Sequence, residues 1–174
     1  MGALIDRGAV DRLETAIARA EAEGAKVVLD GRGKRPAGEV WVGGNWLGPT
    51  VIDGVRPDME AAKRELFGPV LCIIRVPTLS AALEVENASP YGNAASVFTE
   101  SGGVARYVME KANAGMVGVN VGVPVPREPF SFGGWNDSKF GVGDITGRSS
   151  LDFWSSQKKI TTKWTLSADR NWMS

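Results

Sequence analysis

The region from residue 70 to residue 121 alternates strand patterns with helix patterns, and this alternation constrains the fold more than any other feature. Apolar strands are predicted at 70–76, 94–99 and 116–121, and helices at 78–88 and 101–114. Strands joined by helices in this order indicate an α/β protein with a parallel sheet and right-handed crossovers. A chain of 174 residues is long enough for about one such domain.

Local signals predict further elements on both sides of this region. An amphipathic helix is expected at 7–23, where Asp6 is suited to cap the start and Gly24 to form the exit. The other predicted elements are a strand at 26–29, a surface loop at 30–38, a hairpin of strands 39–46 and 48–55, a long loop at 122–147 and a half-buried strand at 159–166.

Composition excludes several classes of function. Twenty basic and twenty acidic residues balance each other, so neither nucleic acid nor a membrane surface is an expected partner. No apolar run is long enough to span a bilayer, and no signal peptide pattern is present. The single cysteine precludes an intrachain disulfide, which fits a reducing cytoplasm or matrix, and we expect a cytoplasmic location. Histidine is absent, so we predict no imidazole base and no metal site.

The segment that precedes the strand at 70–76 is the clearest candidate binding site. It reads Glu65-Leu66-Phe67-Gly68-Pro69-Val70. Side chains two positions apart in an extended segment point the same way, so Glu65 and Phe67 would face one ligand. A carboxylate there can hold the hydroxyls of a ribose while the aromatic ring lies beside the attached base. The alternative is an ordinary helix end and turn before a core strand.

Three other candidates are weaker or undecided. Cys72 is the only thiol, but it lies within an apolar strand, where burial raises the pKa of a thiol, so we predict a structural role. The glycines at 141, 143 and 147 lack a preceding strand and a convincing following helix, so they match a dinucleotide-binding loop only weakly. The aromatic loop at 129–135, which contains Phe130 and Phe132, either lines a small-molecule pocket or packs beneath the long loop.

Taken together, these segments resemble the aldehyde dehydrogenase superfamily. Its Glu-x-Phe-Gly-Pro signature matches residues 65–69, and further matches occur in the same order along almost the whole chain. They are Met1-Gly2-Ala3-Leu4-Ile5, Glu23-Gly24-Ala25, Gly48-Pro49-Thr50-Val51, Asn87 to Asn93 around Tyr91-Gly92, Gly118-Val119-Asn120 and Phe132-Gly133-Gly134. The Pro124-Val125-Pro126 and Phe130-Ser131-Phe132 runs are most similar to the CoA-acylating methylmalonate-semialdehyde dehydrogenase group.

This resemblance implies roles for individual residues. Glu65 would bind the nicotinamide ribose of NAD, and Phe67 would orient the nicotinamide ring. Phe130 and Phe132 would contact the substrate. In the complete enzyme a cysteine would form a thiohemiacetal with the aldehyde, hydride would pass to NAD, and the acyl group would pass to CoA. The strand at 159–166 would join a sheet between the subunits of a homo-oligomer.

The resemblance covers only the last third of a typical member of the superfamily. The family's Gly-Gln-x-Cys nucleophile pattern is absent from these 174 residues, so we expect no catalytic residue within them, no tight binding of NAD or CoA, and no activity from the isolated chain. Residues 1–150 would belong to the catalytic domain, and residues 151–174 would form the oligomerisation strand and tail. The alternatives are a non-enzymatic module that pairs with full-length subunits and a remnant of a non-acylating aldehyde dehydrogenase.

Overall fold

The computed structural model describes residues 1–144 and 146–164. Contacts divide the chain into two compact units, one from Met1 to Ser89 and one that starts at Pro90. Both units combine helices with a pair of parallel strands, which confirms the expected α/β class. The boundary predicted at residue 150 concerns the oligomerisation segment and stays a prediction.

The first unit is a three-stranded sheet with helices. Its elements are α1 (Arg7–Ala22), β1 (Lys26–Leu29), a 3₁₀ turn (Glu39–Trp41), β2 (Thr50–Asp53), α2 (Glu60–Lys63), β3 (Val70–Ile73) and α3 (Leu79–Asn87). The strand order is β1-β2-β3, in which β2 runs antiparallel to β1 and parallel to β3. The strand at 26–29 and the helices at 7–23 and 78–88 therefore form close to their predicted positions.

Helix α1 begins and ends where its sequence signals predict. The Asp6 side chain accepts a hydrogen bond from the Ala9 amide at 2.7 Å, and Gly24 follows the helix with a φ of +100°, which favours glycine. Leu13 and Ile17 on the inner face are completely buried, and they pack in one cluster with Ile52 of β2. The apolar face of α1 thus forms the core against one side of the sheet.

The predicted hairpin of strands 39–46 and 48–55 is wrong. Residues 39–41 form the 3₁₀ turn, and the Trp46 indole donates to the Trp41 carbonyl oxygen at 2.7 Å. Only Thr50–Asp53 becomes a strand, and it pairs with β1 and β3 instead. Glycines at 43, 44 and 48 weaken a local strand, so the more distant apolar strands β1 and β3 become the partners of β2.

The second unit contains shorter strand pairs. Its described elements are β4 (Tyr91–Gly92), β5 (Ala94–Val97), α4 (Gly102–Lys111), β6 (Met116–Val119), β7 (Trp135–Asn136) and α5 (Gly147–Trp154). Strands β5 and β6 pair in parallel, as expected for strands joined by a helix. The strand at 70–76 was expected in the same alternating series, but β3 pairs with β2 of the first unit.

Three described elements of the second unit, β4, β7 and α5, were not predicted. Strand β7 lies inside the predicted loop at 122–147 and pairs antiparallel with β4. Helix α5 begins at Gly147 itself, so the expectation that no convincing helix follows these glycines is wrong. Gly141, Gly143 and Gly147 all have positive φ values, between +61° and +83°. Their left-handed backbone explains why glycine occupies these positions.

The predicted strand at 159–166 falls partly outside the described residues. Residues 159–164 are exposed and form no strand in the structure, whereas residues 165 and 166 are not described. Alternating sequence alone does not make a strand, because its backbone groups need a neighbouring strand to bond with. The role of this segment between subunits stays a prediction.

Candidate active-site segments

The Glu65–Pro69 segment presents two exposed side chains on a strained backbone. The side chains of Glu65 and Phe67 are both exposed, and Phe67 is 79% accessible. Phe67 has a φ of +54°, so the segment is not the regular extended chain that the sequence interpretation assumed. A left-handed conformation is unusual for a bulky residue, and it costs about 1–2 kcal/mol. Such strain persists only where the surrounding structure imposes it.

Contacts on both sides of Phe67 hold this conformation. The Arg12 guanidinium donates through Nη1 to the Leu66 carbonyl oxygen at 2.6 Å. A Cβ atom at Gly68 would overlap Leu13 Cδ1, so α1 packs directly against the glycine backbone. The Thr50 amide donates to the Pro69 carbonyl oxygen at 2.9 Å. The segment is therefore fixed between α1 and β2.

The Gly48-Pro49-Thr50 element has a structural role in this unit. Thr50 is 2% exposed, and its hydroxyl oxygen accepts from the Gly31 amide at 3.1 Å. The same hydroxyl donates to the Gly48 carbonyl oxygen at 3.3 Å. A Cβ atom at Gly31 would overlap the Gly48 backbone, so the two chain segments approach as only glycine allows. This packing secures the start of β2, which in turn holds Pro69.

Cys72 has the environment of a structural residue. It lies on β3 opposite Ile52 of β2 and packs against the core of the first unit. Burial raises the pKa of the Cys72 thiol, which disfavours the reactive thiolate at neutral pH. This environment agrees with the structural role predicted for the residue.

Phe130 lies at an open groove of the second unit. The groove has a volume of about 550 Å³ and is lined by residues 115–119, Val121, the Pro124–Pro126 run, Phe130 and Ser131. Phe130 itself is 71% exposed, so its ring is available for contact with a ligand. The lining is mainly apolar and surrounds the end of β6. This geometry is compatible with the pocket interpretation of the aromatic loop.

Phe132 lies two positions further along the same loop and is half-buried. Its amide donates to the Thr146 hydroxyl at 2.8 Å. A Cβ atom at Gly133 would overlap the Asp144 carboxylate, which forms an ion pair with Lys139 at 2.9 Å. Phe130 and Phe132 thus lie on one restrained loop, but only Phe130 belongs to the groove lining.

Asn120 is a residue whose structural importance the sequence interpretation missed. It has a φ of +55° immediately after β6. Its side-chain oxygen accepts from the Thr99 amide at 2.9 Å, and its side-chain nitrogen donates to the Thr99 carbonyl oxygen at 3.0 Å. These bonds tie the chain after β5 to the chain after β6. The available signal was an asparagine at a strand end, because asparagine tolerates the left-handed region better than most residues.

Metal-ligand clusters and membrane-spanning helices are both absent from the described residues. No group of three or more potential metal-ligating side chains occurs among them. Within the same residues, no helix has the length and apolar character needed to cross a membrane.

Comparison with known proteins identifies similar sequences over nearly the whole chain. The chain is 41% identical over 164 residues to the malonate-semialdehyde dehydrogenase of Pseudomonas aeruginosa. It is 40% identical over 164 residues to a Dictyostelium discoideum protein named "Probable methylmalonate-semialdehyde/malonate-semialdehyde dehydrogenase (acylating), mitochondrial". These matches cover 94% of this chain but only 33% and 31% of the two relatives, so the chain spans about a third of their length.

Solved structures are also similar over nearly the whole of this chain and about a third of their own length. The methylmalonate-semialdehyde dehydrogenase of Oceanimonas doudoroffii superimposes with a TM-score of 0.88 at 38% identity, and the match covers 95% of this chain and 33% of that one. A Sinorhizobium meliloti protein assigned as a methylmalonate-semialdehyde dehydrogenase and solved with NAD has the same TM-score and identity, and the match covers 97% of this chain and 34% of that one. Residues 1–160 match the aldehyde dehydrogenase family, and the chain is therefore a member of that family.

Proposed function

We propose that this chain forms the C-terminal part of an NAD-dependent, CoA-acylating methylmalonate- or malonate-semialdehyde dehydrogenase. The observation that carries the proposal is identity of about 40% over 94% of the chain to proteins with these names. NAD use is supported by the Sinorhizobium meliloti structure with NAD, and CoA use by the word acylating in the name of the Dictyostelium relative. Family membership supports oxidoreductase chemistry in general.

The Glu65–Pro69 segment fits the nicotinamide end of NAD. Glu65 is exposed and forms no ion pair among the described residues, so its carboxylate is free to accept hydrogen bonds from the ribose hydroxyls. The exposed ring of Phe67 lies two residues further along the same restrained segment. When bound, NAD supplies the acceptor for the hydride of the aldehyde. Glu65 would hold the ribose, and Phe67 would set the orientation of the ring.

Phe130 and Phe132 are the proposed substrate contacts. The exposed ring of Phe130 lies at the groove beside β6. Phe132 is restrained by its bond to Thr146 and has part of its side chain accessible. A restrained aromatic loop is suited to orienting a small substrate, because little conformational entropy is lost on binding.

The isolated chain is proposed to be inactive. Aldehyde oxidation with acyl transfer to CoA requires a thiolate that attacks the carbonyl carbon. The only thiol, Cys72, lies on a core strand and has a raised pKa. We therefore expect no NADH when the pure chain is mixed with malonate semialdehyde, CoA and NAD and absorbance is followed. Steady formation of NADH by a rigorously purified sample would contradict this expectation.

A chimeric enzyme tests the role of the chain within a complete protein. The C-terminal third of the Pseudomonas aeruginosa relative would be replaced by these residues. We expect the chimera to form NADH from malonate semialdehyde in a CoA-dependent manner. Release of the free acid without CoA would instead favour a non-acylating aldehyde dehydrogenase. Failure of a correctly folded chimera to oxidise any aldehyde would contradict the proposal.

Two matched substitutions in the chimera test the cofactor contact. Glu65→Gln removes the negative charge of the carboxylate that would accept hydrogen bonds from the ribose hydroxyls, and it should lower kcat/KM for NAD about ten-fold or more. Glu39→Gln removes another exposed carboxylate, in the 3₁₀ turn, and should leave kcat/KM unchanged. Equal effects of the two substitutions would contradict the role of Glu65.

Self-association is the proposed mode of partnership. Strand β3 lies at an edge of its sheet, and Leu71 on this strand is 60% exposed. Apolar edge strands invite pairing with another chain. Sedimentation should therefore detect a species larger than the 18.5 kDa monomer. A clean monomer would contradict self-association, whereas co-purification with a full-length relative would favour the non-enzymatic module.

We propose that the chain is located in the cytoplasm, which is a reducing compartment. The basis is the single, partly buried cysteine, which cannot form an intrachain disulfide. Fractionation of source cells with an antibody against the chain would test this location. Recovery from an organelle fraction, as the name of the mitochondrial Dictyostelium relative would suggest for that protein, would contradict it.

A further inference from the structure

We propose that Arg12 is a positioning residue that holds the left-handed conformation of Phe67. The inference rests on the proposed function in one respect, namely that Phe67 faces the nicotinamide. In this proposal the aromatic ring is held in place by α1, a helix that is distant in sequence from the Glu65–Pro69 segment.

The bond of Arg12 acts directly on the strained torsion angle. The Leu66 carbonyl oxygen, which accepts from Arg12 Nη1 at 2.6 Å, shares one rigid peptide plane with the Phe67 amide. Rotation of this plane changes ψ of Leu66 and φ of Phe67 together. A charged donor fixed to the carbonyl oxygen therefore restrains the φ of +54° at Phe67.

Arg12 differs from its neighbours on α1 in what it contacts. Arg7 and Arg19 form ion pairs with carboxylates four positions further along the same helix, at 2.9 Å in each case. Arg12 forms no such ion pair among the described residues, and its guanidinium reaches a backbone carbonyl group 54 positions away. A cation that contacts backbone instead of a nearby carboxylate is suited to fixing a loop.

Packing beside Arg12 completes the restraint. Leu13, the next residue of α1, is completely buried, and its Cδ1 occupies the space that a Cβ atom at Gly68 would need. The ring of Phe67 is mostly exposed, so its own packing does not compensate the strained backbone. Two residues of α1 therefore maintain the conformation of Phe67. Arg12 bonds to Leu66, the residue before it, and Leu13 packs against Gly68, the residue after it.

NMR spectroscopy of the full chain tests this role. The backbone carbon shifts and the amide–Hα coupling of Phe67 distinguish a left-handed residue from an extended one. The left-handed signature should persist in the wild-type chain and in Arg7→Met, which removes a matched arginine from the same helix. It should be lost in Arg12→Met and be retained at least in part in Arg12→Lys. A left-handed Phe67 in folded Arg12→Met would overturn the proposal.

A second measurement covers the case in which Arg12→Met folds poorly. Glycine tolerates the left-handed region and alanine does not, so Phe67→Gly should melt at a higher temperature than Phe67→Ala. This order should disappear when Arg12→Ala is added, because alanine suits the exposed face of a helix but has no donor for the Leu66 carbonyl oxygen, so the torsion angle is then no longer enforced. An unchanged order would overturn the role of Arg12. Failure of the dehydrogenase proposal would alter none of these readings, since they depend only on the conformation of Phe67.

Discussion

The strained backbone of Phe67 can be measured as a free energy by comparing two truncations of its side chain. Phe67→Ala and Phe67→Gly remove the same ring, which is 79% exposed and contributes little burial. The loss of ring contacts therefore cancels when the two variants are compared. What remains is the preference of residue 67 for glycine or alanine at a φ of +54°.

The expected magnitude follows from two opposing terms. A left-handed conformation costs a residue other than glycine about 1–2 kcal/mol. Glycine loses more backbone entropy on folding, which costs about 0.5–1 kcal/mol relative to alanine. Phe67→Gly should therefore be more stable than Phe67→Ala by up to about 1.5 kcal/mol, with a central value of about 0.75 kcal/mol. The sign is opposite to the usual order of these residues in a helix or a strand.

Urea denaturation provides the assay, with the free energy of unfolding compared at a shared m value. Ala18→Gly on the exposed face of α1 is the matched control, because residue 18 has ordinary helical geometry. There glycine should be less stable than alanine by about 1 kcal/mol. A Phe67→Ala variant more stable than Phe67→Gly would refute the reasoning, because it would mean that residue 67 is not held in the left-handed region.

Three further outcomes are expected. Thr50→Val keeps the shape of the buried side chain but leaves the Gly31 amide without its acceptor. Urea titration should therefore show a loss of about 1–3 kcal/mol in the free energy of unfolding. Thr50→Ser keeps the hydroxyl and should lose about 1 kcal/mol for one methyl group. Leu13→Ala removes a completely buried side chain, and calorimetry should detect a loss of about 2–5 kcal/mol; a loss below that range would contradict the core position. The Arg75 guanidinium lowers the pKa of Asp53. This pair therefore stabilises the folded state above the unfolded pKa of about 3.9 and stops doing so as pH falls through the lower folded pKa. The wild-type chain should thus lose its advantage over Asp53→Asn in acid, and a pH-independent difference in urea midpoints would contradict the ion pair.

Helix α1 shows what local sequence predicts well. Its bounds follow from contacts between near neighbours, since Asp6 caps the first turn and Gly24 provides the left-handed exit. Its buried face follows from helical periodicity, which places Leu13 and Ile17 on the same side. Neither feature depends on a distant part of the chain, so both can be predicted from the sequence alone.

Strand pairing shows where local sequence fails. Residues 48–55 contain a strand pattern, and Thr50–Asp53 does form a strand, but its partners are β1 and β3 instead of the segment at 39–46. The two-residue strands β4 and β7 carry no periodic signal, because two residues are too few to show one. Partner choice depends on which apolar strands the whole fold brings together, and that information is not local.

The candidate site likewise has features that the sequence predicts and features that depend on distant parts of the chain. The sequence by itself determined the chemistry at residues 65 and 67, a carboxylate and an aromatic ring before a Gly-Pro turn, and it determined the family through motifs in a fixed order. Only the tertiary structure decided how Phe67 is presented, since its left-handed backbone follows from Arg12 and from Leu13 packed against Gly68. The physical reason is that side-chain chemistry belongs to single residues, whereas a strained torsion angle persists only when residues distant in sequence impose it.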